Sequence, residues 1–252
     1  MLLQDLKILL KQKLTTHFEA VELSSIIGML IEEVSGWNRT QQIIHQNTAF
    51  NQAQVDQIEK YTEQLISGKP IQYILGKAWF MGQNFIVNEN VLIPRPETEE
   101  LVEWIISYAN IKNKTLSILD IGTGSGCISI ALKMALPHCE ISGLDVSKEA
   151  LKVAQLNAKN LNVSIQWMEQ NILDTVALEN AYDIIVSNPP YIPIREKESM
   201  QKQVVNFEPS LALFVPDEDP LIFYRTIAKI AKQSLSKNGQ LFFEIHYDQG
   251  NA

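Results

Sequence analysis

The sequence predicts a two-part α/β protein: a small helical bundle, then a parallel sheet with helices on both faces. Up to about residue 75, apolar residues recur at helical spacing and no strand pattern occurs. From Leu116 onward, short apolar runs alternate with helical segments, which is the pattern of βαβ units. Between the first of those runs and its helix lies a glycine-rich stretch, Gly122 to Gly126, where ligands of such sheets bind.

Leu2, Leu3, Leu6, Ile8, Leu9, Leu10 and Leu14 predict a first helix; Phe18 to Val34 a second; Arg39 to His45 a short third; and Ala53 to Ile66 a fourth, closed by Ser67-Gly68-Lys69-Pro70. Trp79 to Ile93 is rich in aromatic and β-branched residues around turn signals at Gly82 and Asn88, so a hairpin is expected there, with Trp79, Phe80 and Phe85 packing between domains. The expected division is therefore 1–75, a helical bundle; 76–95, a hairpin linker; and 96–252, the sheet domain. In the last part, strands are expected at Ser117 to Ile121, Glu140 to Val146, Val163 to Met168, Tyr182 to Ser187 and Gln240 to His246. Helices are expected at Glu97 to Ala109, Cys127 to Met134, Lys148 to Ala158 and Leu221 to Leu235. Arg195 to Gln203 is charged enough to be a solvated loop.

Composition removes several function classes. A chain of 252 residues that is 46% hydrophobic and 20% charged can bury a sizeable core. No apolar stretch reaches the length of a membrane span, and the amphipathic start is not a signal peptide, so the expected compartment is the cytoplasm, with no membrane partner. Cys127 and Cys139 form no CxxC, and His17, His45, His138 and His246 are scattered, so neither disulfide nor metal site is expected. A net charge of -8 argues against a protein built to grip nucleic acid.

Three features carry chemistry. Gly122-Thr123-Gly124-Ser125-Gly126 lets the backbone turn tightly and approach a ligand at the start of a helix. A dinucleotide fingerprint would want a third glycine where Cys127 stands, which disfavours a pyrophosphate. The second strand ends at Asp145, a carboxylate suited to both hydroxyls of a ribose, or to capping the helix that follows. Asn188-Pro189-Pro190-Tyr191 ends the fourth strand. Its prolines stiffen the tetrapeptide and have no N–H, so it offers mainly the Asn188 amide and backbone carbonyls, a set that suits a substrate NH2 group.

Together these features resemble the class I S-adenosylmethionine-dependent methyltransferases (Rossmann-like) that act on planar nitrogen. Asn-Pro-Pro-Tyr alone is shared by adenine-N6, guanine-N2 and protein-glutamine enzymes. Pro70-Ile71-Gln72-Tyr73-Ile74-Leu75-Gly76, Leu92-Ile93-Pro94-Arg95-Pro96-Glu97-Thr98-Glu99, and Glu208-Pro209 followed by Ala212-Leu213 are more discriminating. With the helical N-terminus they resemble the PrmC (HemK) family over essentially the whole chain. The resemblance implies transfer of methyl from S-adenosylmethionine to the glutamine N5 in the Gly-Gly-Gln loop of bacterial class-1 peptide chain release factors, leaving S-adenosylhomocysteine. The alternative is a nucleic-acid amino-methyltransferase.

On that resemblance, Asn188 and Pro189 accept the amide hydrogens, Tyr191 packs on the amide, and Pro190 shapes the wall. Gly122, Thr123, Gly124, Ser125, Gly126, Asp145, Asn171, Ile172 and Asn188 contact the cofactor. Asn171-Ile172 stands where the family usually has an acid and an apolar residue by the adenine. Thr98 and Glu99 are expected over the methionine end or at a helix cap. The bundle is expected to recognise the release factor. The family continues past the fifth strand with a helix and hairpin, so a shortened C-terminal end and an exposed sheet edge are expected.

Overall fold

The computed structural model describes residues 1–112, 114–178 and 180–245, and the chain falls into two units, Met1–Leu75 and Gly76–Ala252. The first unit consists of α1 (Leu3–Leu14), α2 (Ala20–Ser35), α3 (Arg39–Ile44), α4 (Gln52–Ile66) and α5 (Ile71–Leu75). Asn38 and Asn51 open α3 and α4 with capping boxes completed by Gln41 and Gln54, which satisfies the helices' first free N–H groups. Leu3, Leu6, Leu10 and Leu14 put one stripe of α1 into an apolar core shared with Leu23, Leu30 and Ile58. The expectation stopped at Pro70, yet α5 follows at once. A proline is compatible with a helix start, and the Pro70 carbonyl accepts the N–H groups of Tyr73 and Ile74.

The second unit opens with an antiparallel hairpin, β1 (Lys77–Phe80) and β2 (Gln83–Ile86). Its two-residue turn, Met81-Gly82, has positive φ at both positions, 47° and 75°, which matches the right-handed twist of the strands. The strand pattern ends at Ile86 rather than Ile93. Phe80 and Phe85 are fully buried in edge-to-face contact inside this unit's own core, so the expected inter-domain packing of these two rings is corrected.

There follow α6 (Pro96–Lys112), β3 (Ser117–Ile121), α7 (Cys127–Ala135), β4 (Glu140–Asp145), α8 (Lys148–Asn160), β5 (Gln166–Glu169), β6 (Tyr182–Ser187), β7 (Ile192–Pro193), α9 (Lys202–Phe207), α10 (Ser210–Leu213), β8 (Phe214–Val215), α11 (Ile222–Ser234) and β9 (Leu235–Phe243). The central sheet has the order β5-β4-β3-β6-β9, and every pairing in it is parallel. Side chains alternate between faces: Ile118 and Ile184 point to the core that holds α6 and α7, Leu119 and Ile185 to the one that holds α11. The order reverses between β3 and β6, so a crevice opens at their carboxyl ends.

Arg195 to Gln203 is not simply a loop. Ile194–Ser199 is a 3-10 turn and α9 begins at Lys202, while β7 pairs with β8 and the Arg195 N–H bonds Asp217. Charge composition hid these elements because their partners lie some twenty residues downstream. β9 starts earlier than the apolar run, with a register irregularity opposite Tyr182 and Ile184. Among the described residues it pairs only with β6; His246, the end of the expected strand, and the expected shortened C-terminus lie outside them.

Gly143 in β4 shows how tightly the sheet is covered. A Cβ there would lie 2.4 Å from the Trp167 ring. Gly143→Ala should therefore cost about 1–3 kcal/mol by overpacking, read as a lower urea midpoint with an unchanged slope.

Candidate active site

The crevice between β3 and β6 is built from the carboxyl ends of the sheet's five strands. After β3, Gly122 and Gly124 adopt φ of 75° and 56°, and a Cβ at either would meet nothing within 4 Å, so bare backbone faces open space. Gly126 differs. Its added Cβ would press on Ala154, Ile130 and Trp167 at 3.1 Å, so its role here is close packing at the start of α7.

The loop's hydrogen bonds decide what it can hold. The N–H groups of Gly122 and Thr123 donate to the Leu144 carbonyl at 2.8 and 3.0 Å, Gly124 donates to Asp145 Oδ2 at 2.8 Å, and Gly126 donates to the Thr123 carbonyl. A phosphate would need such donors free. Acceptors dominate instead. Asp120 is fully buried; its Oδ2 accepts from Thr123 Oγ1 and from the Ser129 hydroxyl and N–H, while Oδ1 is buried without a hydrogen-bond partner among the described residues. Burial pushes its carboxyl up to about 6, against an ordinary 3.8, with Asp145 nearby adding to the rise.

The folded chain thus holds this proton more tightly than the unfolded chain. The stability Asp120 contributes is full below 3.8 and is lost as the pH rises through about 6. Urea unfolding across that window should show a shallower fall in stability for Asp120→Asn than for wild type; equal slopes would refute the assignment.

Asp145 does not cap α8, because Ser147 does, accepting from the Ala150 N–H. Asp145 instead accepts from Gly124 and, at 2.9 Å, from the Ser147 N–H, so it fastens the glycine loop to the end of β4. Burial raises its pKa and these N–H groups oppose the rise. Asn157 of α8, almost fully buried, completes the frame by bonding both the Ser125 carbonyl and the backbone of Ile86. Sequence reading missed it; the only signal was an amide on a helix face that is otherwise apolar.

Thr123 and Ser125 are buried, with the Thr123 hydroxyl turned in toward Asp120 and Ser129. Asn171 begins a 3-10 turn at Ile172–Asp174, accepting from the Leu173 N–H and donating to Asp174, while Ile172 is buried in the apolar core. Cys127 is buried and its thiol is pushed up to about 12 by desolvation, so it is inert.

After β6, Asn188, Pro190 and Tyr191 are half-buried and Pro189 is buried. Asn188 Nδ2 donates to Thr98 Oγ1 at 3.3 Å. Thr98, near the start of α6, donates in turn to Glu244 Oε2 at 2.6 Å, and the Tyr191 hydroxyl donates to Glu244 Oε1 at 3.5 Å. Burial and the Glu244 charge push the Tyr191 phenol up to about 12, so it stays neutral. Glu99 lies apart from this group, accepting from the Met81 N–H at 2.6 Å. Glu244, just past β9, was missed in the sequence; the signal was an acid closing the apolar run Leu241-Phe242-Phe243.

S-Adenosylmethionine fits these residues. Its ammonium, two ribose hydroxyls and adenine amine can all donate, which suits strand ends that offer the acceptors Asp145 and Asn171 with the unpartnered Asp120 Oδ1 buried behind the loop, and it carries no phosphate. Among the described residues no cluster suited to a metal ion occurs, and no helix is long and apolar enough to cross a membrane.

Comparison with known proteins agrees. Residues 10–76 match the PrmC N-terminal domain model and residues 105–207 the Methyltransferase small domain model. A release factor glutamine methyltransferase of Flavobacterium psychrophilum is 47% identical over 98% of this chain and 87% of its own length. Proteins of the same name from Bacteroides thetaiotaomicron and Enterococcus faecalis are 38% and 40% identical, over 96% and 87% of this chain and 86% and 78% of their own. The chain belongs to the family of release factor glutamine methyltransferases, S-adenosylmethionine-dependent enzymes of the class I methyltransferase fold.

Proposed function

We propose that this protein methylates the side-chain N5 of the glutamine in the Gly-Gly-Gln loop of bacterial class-1 peptide chain release factors, in the cytoplasm. The observation that carries the reading is the placing of Asn188 to Tyr191 beside a phosphate-unsuited glycine loop at the sheet's switch point. When bound, S-adenosylmethionine supplies an electrophilic methyl on sulfonium. Transfer of that methyl would form the N–C bond as the S–C bond breaks, leaving S-adenosylhomocysteine, and the amide nitrogen would give up one proton to solvent.

The amide nitrogen is a poor nucleophile because its lone pair is delocalised into the carbonyl. Asn188 Oδ1 and the Pro189 carbonyl accept its two hydrogens, aim it, and stabilise the positive charge that develops on it. Tyr191 stacks on the amide plane and Pro190 forms the wall. Backbone at Gly122 to Gly126, Asp145, Asn171 and Ile172 holds the cofactor. The unit Met1–Leu75 recognises the release factor, a role supported by the match of residues 10–76 to the PrmC N-terminal domain. The net charge of -8 tells against nucleic acid as substrate.

Purified protein with methyl-labelled S-adenosylmethionine and release factor tests this. Label should enter the release factor and vanish when its Gly-Gly-Gln glutamine is replaced; label entering DNA or RNA instead sinks the proposal.

A further inference from the structure

An asparagine amide presents either its oxygen or its NH2 to a ligand, and only the oxygen can accept from a substrate N–H. Rotating Asn188 by half a turn would convert an acceptor into a competing donor, so something must hold the orientation. The Glu244 carboxylate sits behind the Asn188 side chain with its backbone fixed on two sides: its N–H donates to the Ser187 carbonyl at 3.1 Å and its carbonyl accepts from the Tyr224 hydroxyl at 3.1 Å.

An ionised carboxylate only accepts. The Thr98 hydroxyl, 2.6 Å from Glu244 Oε2, must therefore donate to it, and so has only lone pairs left for Asn188. Asn188 answers with Nδ2, which donates to Thr98 Oγ1 at 3.3 Å. Each step fixes the polarity of the next, and Oδ1 is left as the atom that Asn188 can offer a substrate. Thr98 is only 2% exposed, so water competes little with this chain of bonds.

We infer that Glu244, acting through Thr98, is a positioning residue that sets the Asn188 amide with its oxygen toward the substrate nitrogen. The inference rests on the proposed glutamine methylation and adds to it the device that makes Asn188 a one-way acceptor. Glutamine at 244 would break that device, because its amide can donate to Thr98 and let the hydroxyl point the other way. The Tyr191 hydroxyl, bonded to the other oxygen of the same carboxylate, ties the aromatic wall to the same anchor.

Two measurements on full-length protein test this. In 15N-labelled protein without ligands, the Asn188 side-chain amide signals, assigned by their loss in Asn188→Asp, should show a shifted, slowly exchanging proton. In Thr98→Val and Glu244→Gln that proton should move to the position and exchange rate of a free amide, and Thr98→Ser should restore it. In the transfer assay, Thr98→Val and Glu244→Gln should lower kcat by about tenfold or more with KM for S-adenosylmethionine within about threefold, and Thr98→Ser should recover most of the loss. Unchanged amide signals in Thr98→Val overturn the inference, as does a shifted signal with undiminished kcat. Because the signals are read without substrate, they decide the inference even if wild-type protein leaves release factor unlabelled, a result that would overturn the proposed function instead.

Discussion

Asn188→Ala is expected to lower kcat for release-factor methylation by roughly 10²- to 10³-fold while leaving S-adenosylmethionine affinity within a few-fold of wild type. The reason is chemical. An amide nitrogen attacks only if its lone pair is aimed and the positive charge it acquires is met by acceptors already in place. On the proposed function Asn188 supplies one of two such acceptors, and alanine supplies none. The prolines on its C-terminal side hold the main chain whatever the side chain, so the crevice keeps its shape and the Pro189 carbonyl keeps its place. Asn188→Asp separates polarity from charge: it retains an acceptor but sets a second carboxylate beside Glu244, whose pKa burial and Glu97 already raise. Single-turnover assays, with cofactor binding measured by calorimetry, would read both effects. A kcat for Asn188→Ala within a few-fold of wild type would falsify the orienting role.

Glu208→Ala is expected to give the largest loss of stability in the second unit. The Glu208 side chain is 1% exposed; its Oε1 pairs with Arg95 Nη2 at 2.6 Å and its Oε2 accepts from the Ile93 N–H at 3.3 Å. Alanine would strand a buried backbone donor and leave the guanidinium without its anion. Arg95 is 33% exposed and can rehydrate in part, so the cost should be about 3 kcal/mol, near the low end for a broken buried pair. In a domain of this size that lowers Tm by roughly 6–12 °C. Glu208→Gln keeps an acceptor for Ile93 and should lose about half as much. A Tm for Glu208→Ala within a degree of wild type would show that the pair carries no net stability. The same pair explains why two motifs far apart in sequence, Pro94-Arg95-Pro96 and Glu208-Pro209, occur together. The carboxylate straps the segment that leads into α6, and α6 in turn delivers Thr98 to Asn188 and Glu244.

The order of elements was legible because each rests on local chemistry. Helical spacing placed α1 to α4, the alternation of apolar runs placed β3, β4 and β6 to within a residue, and two adjacent prolines after β6 fixed a stiff acceptor loop before any partner was known. Where the signal depended on distant residues it failed. β7 and β8 are two residues each and exist only because they pair across the chain; α5 begins just after a proline that reads equally as a stop; the hairpin ends at Ile86, and Val87, Val91 and Ile93 of the same apolar run are buried outside it.

The site divides the same way. Sequence named Gly122, Gly124, Asp145 and Asn188 because glycine, a strand-end acid and a proline-flanked amide have few other uses in that setting. It did not separate the open glycines at 122 and 124 from Gly126, which the packing of three side chains requires. Nor did it show that Asp145 grips the loop rather than the helix. Glu244 gave only a faint sign, an acid closing an apolar run, which carries no spacing and no motif.

By itself, then, the sequence determined the order of the elements, because periodicity is a local property, and through its motifs the resemblance to the family. The tertiary structure alone decided which way those parts face. Donor and acceptor polarity passes from Glu244 to Thr98 to Asn188 across separations of 146 and 90 residues, and only the fold brings such groups within hydrogen-bonding distance.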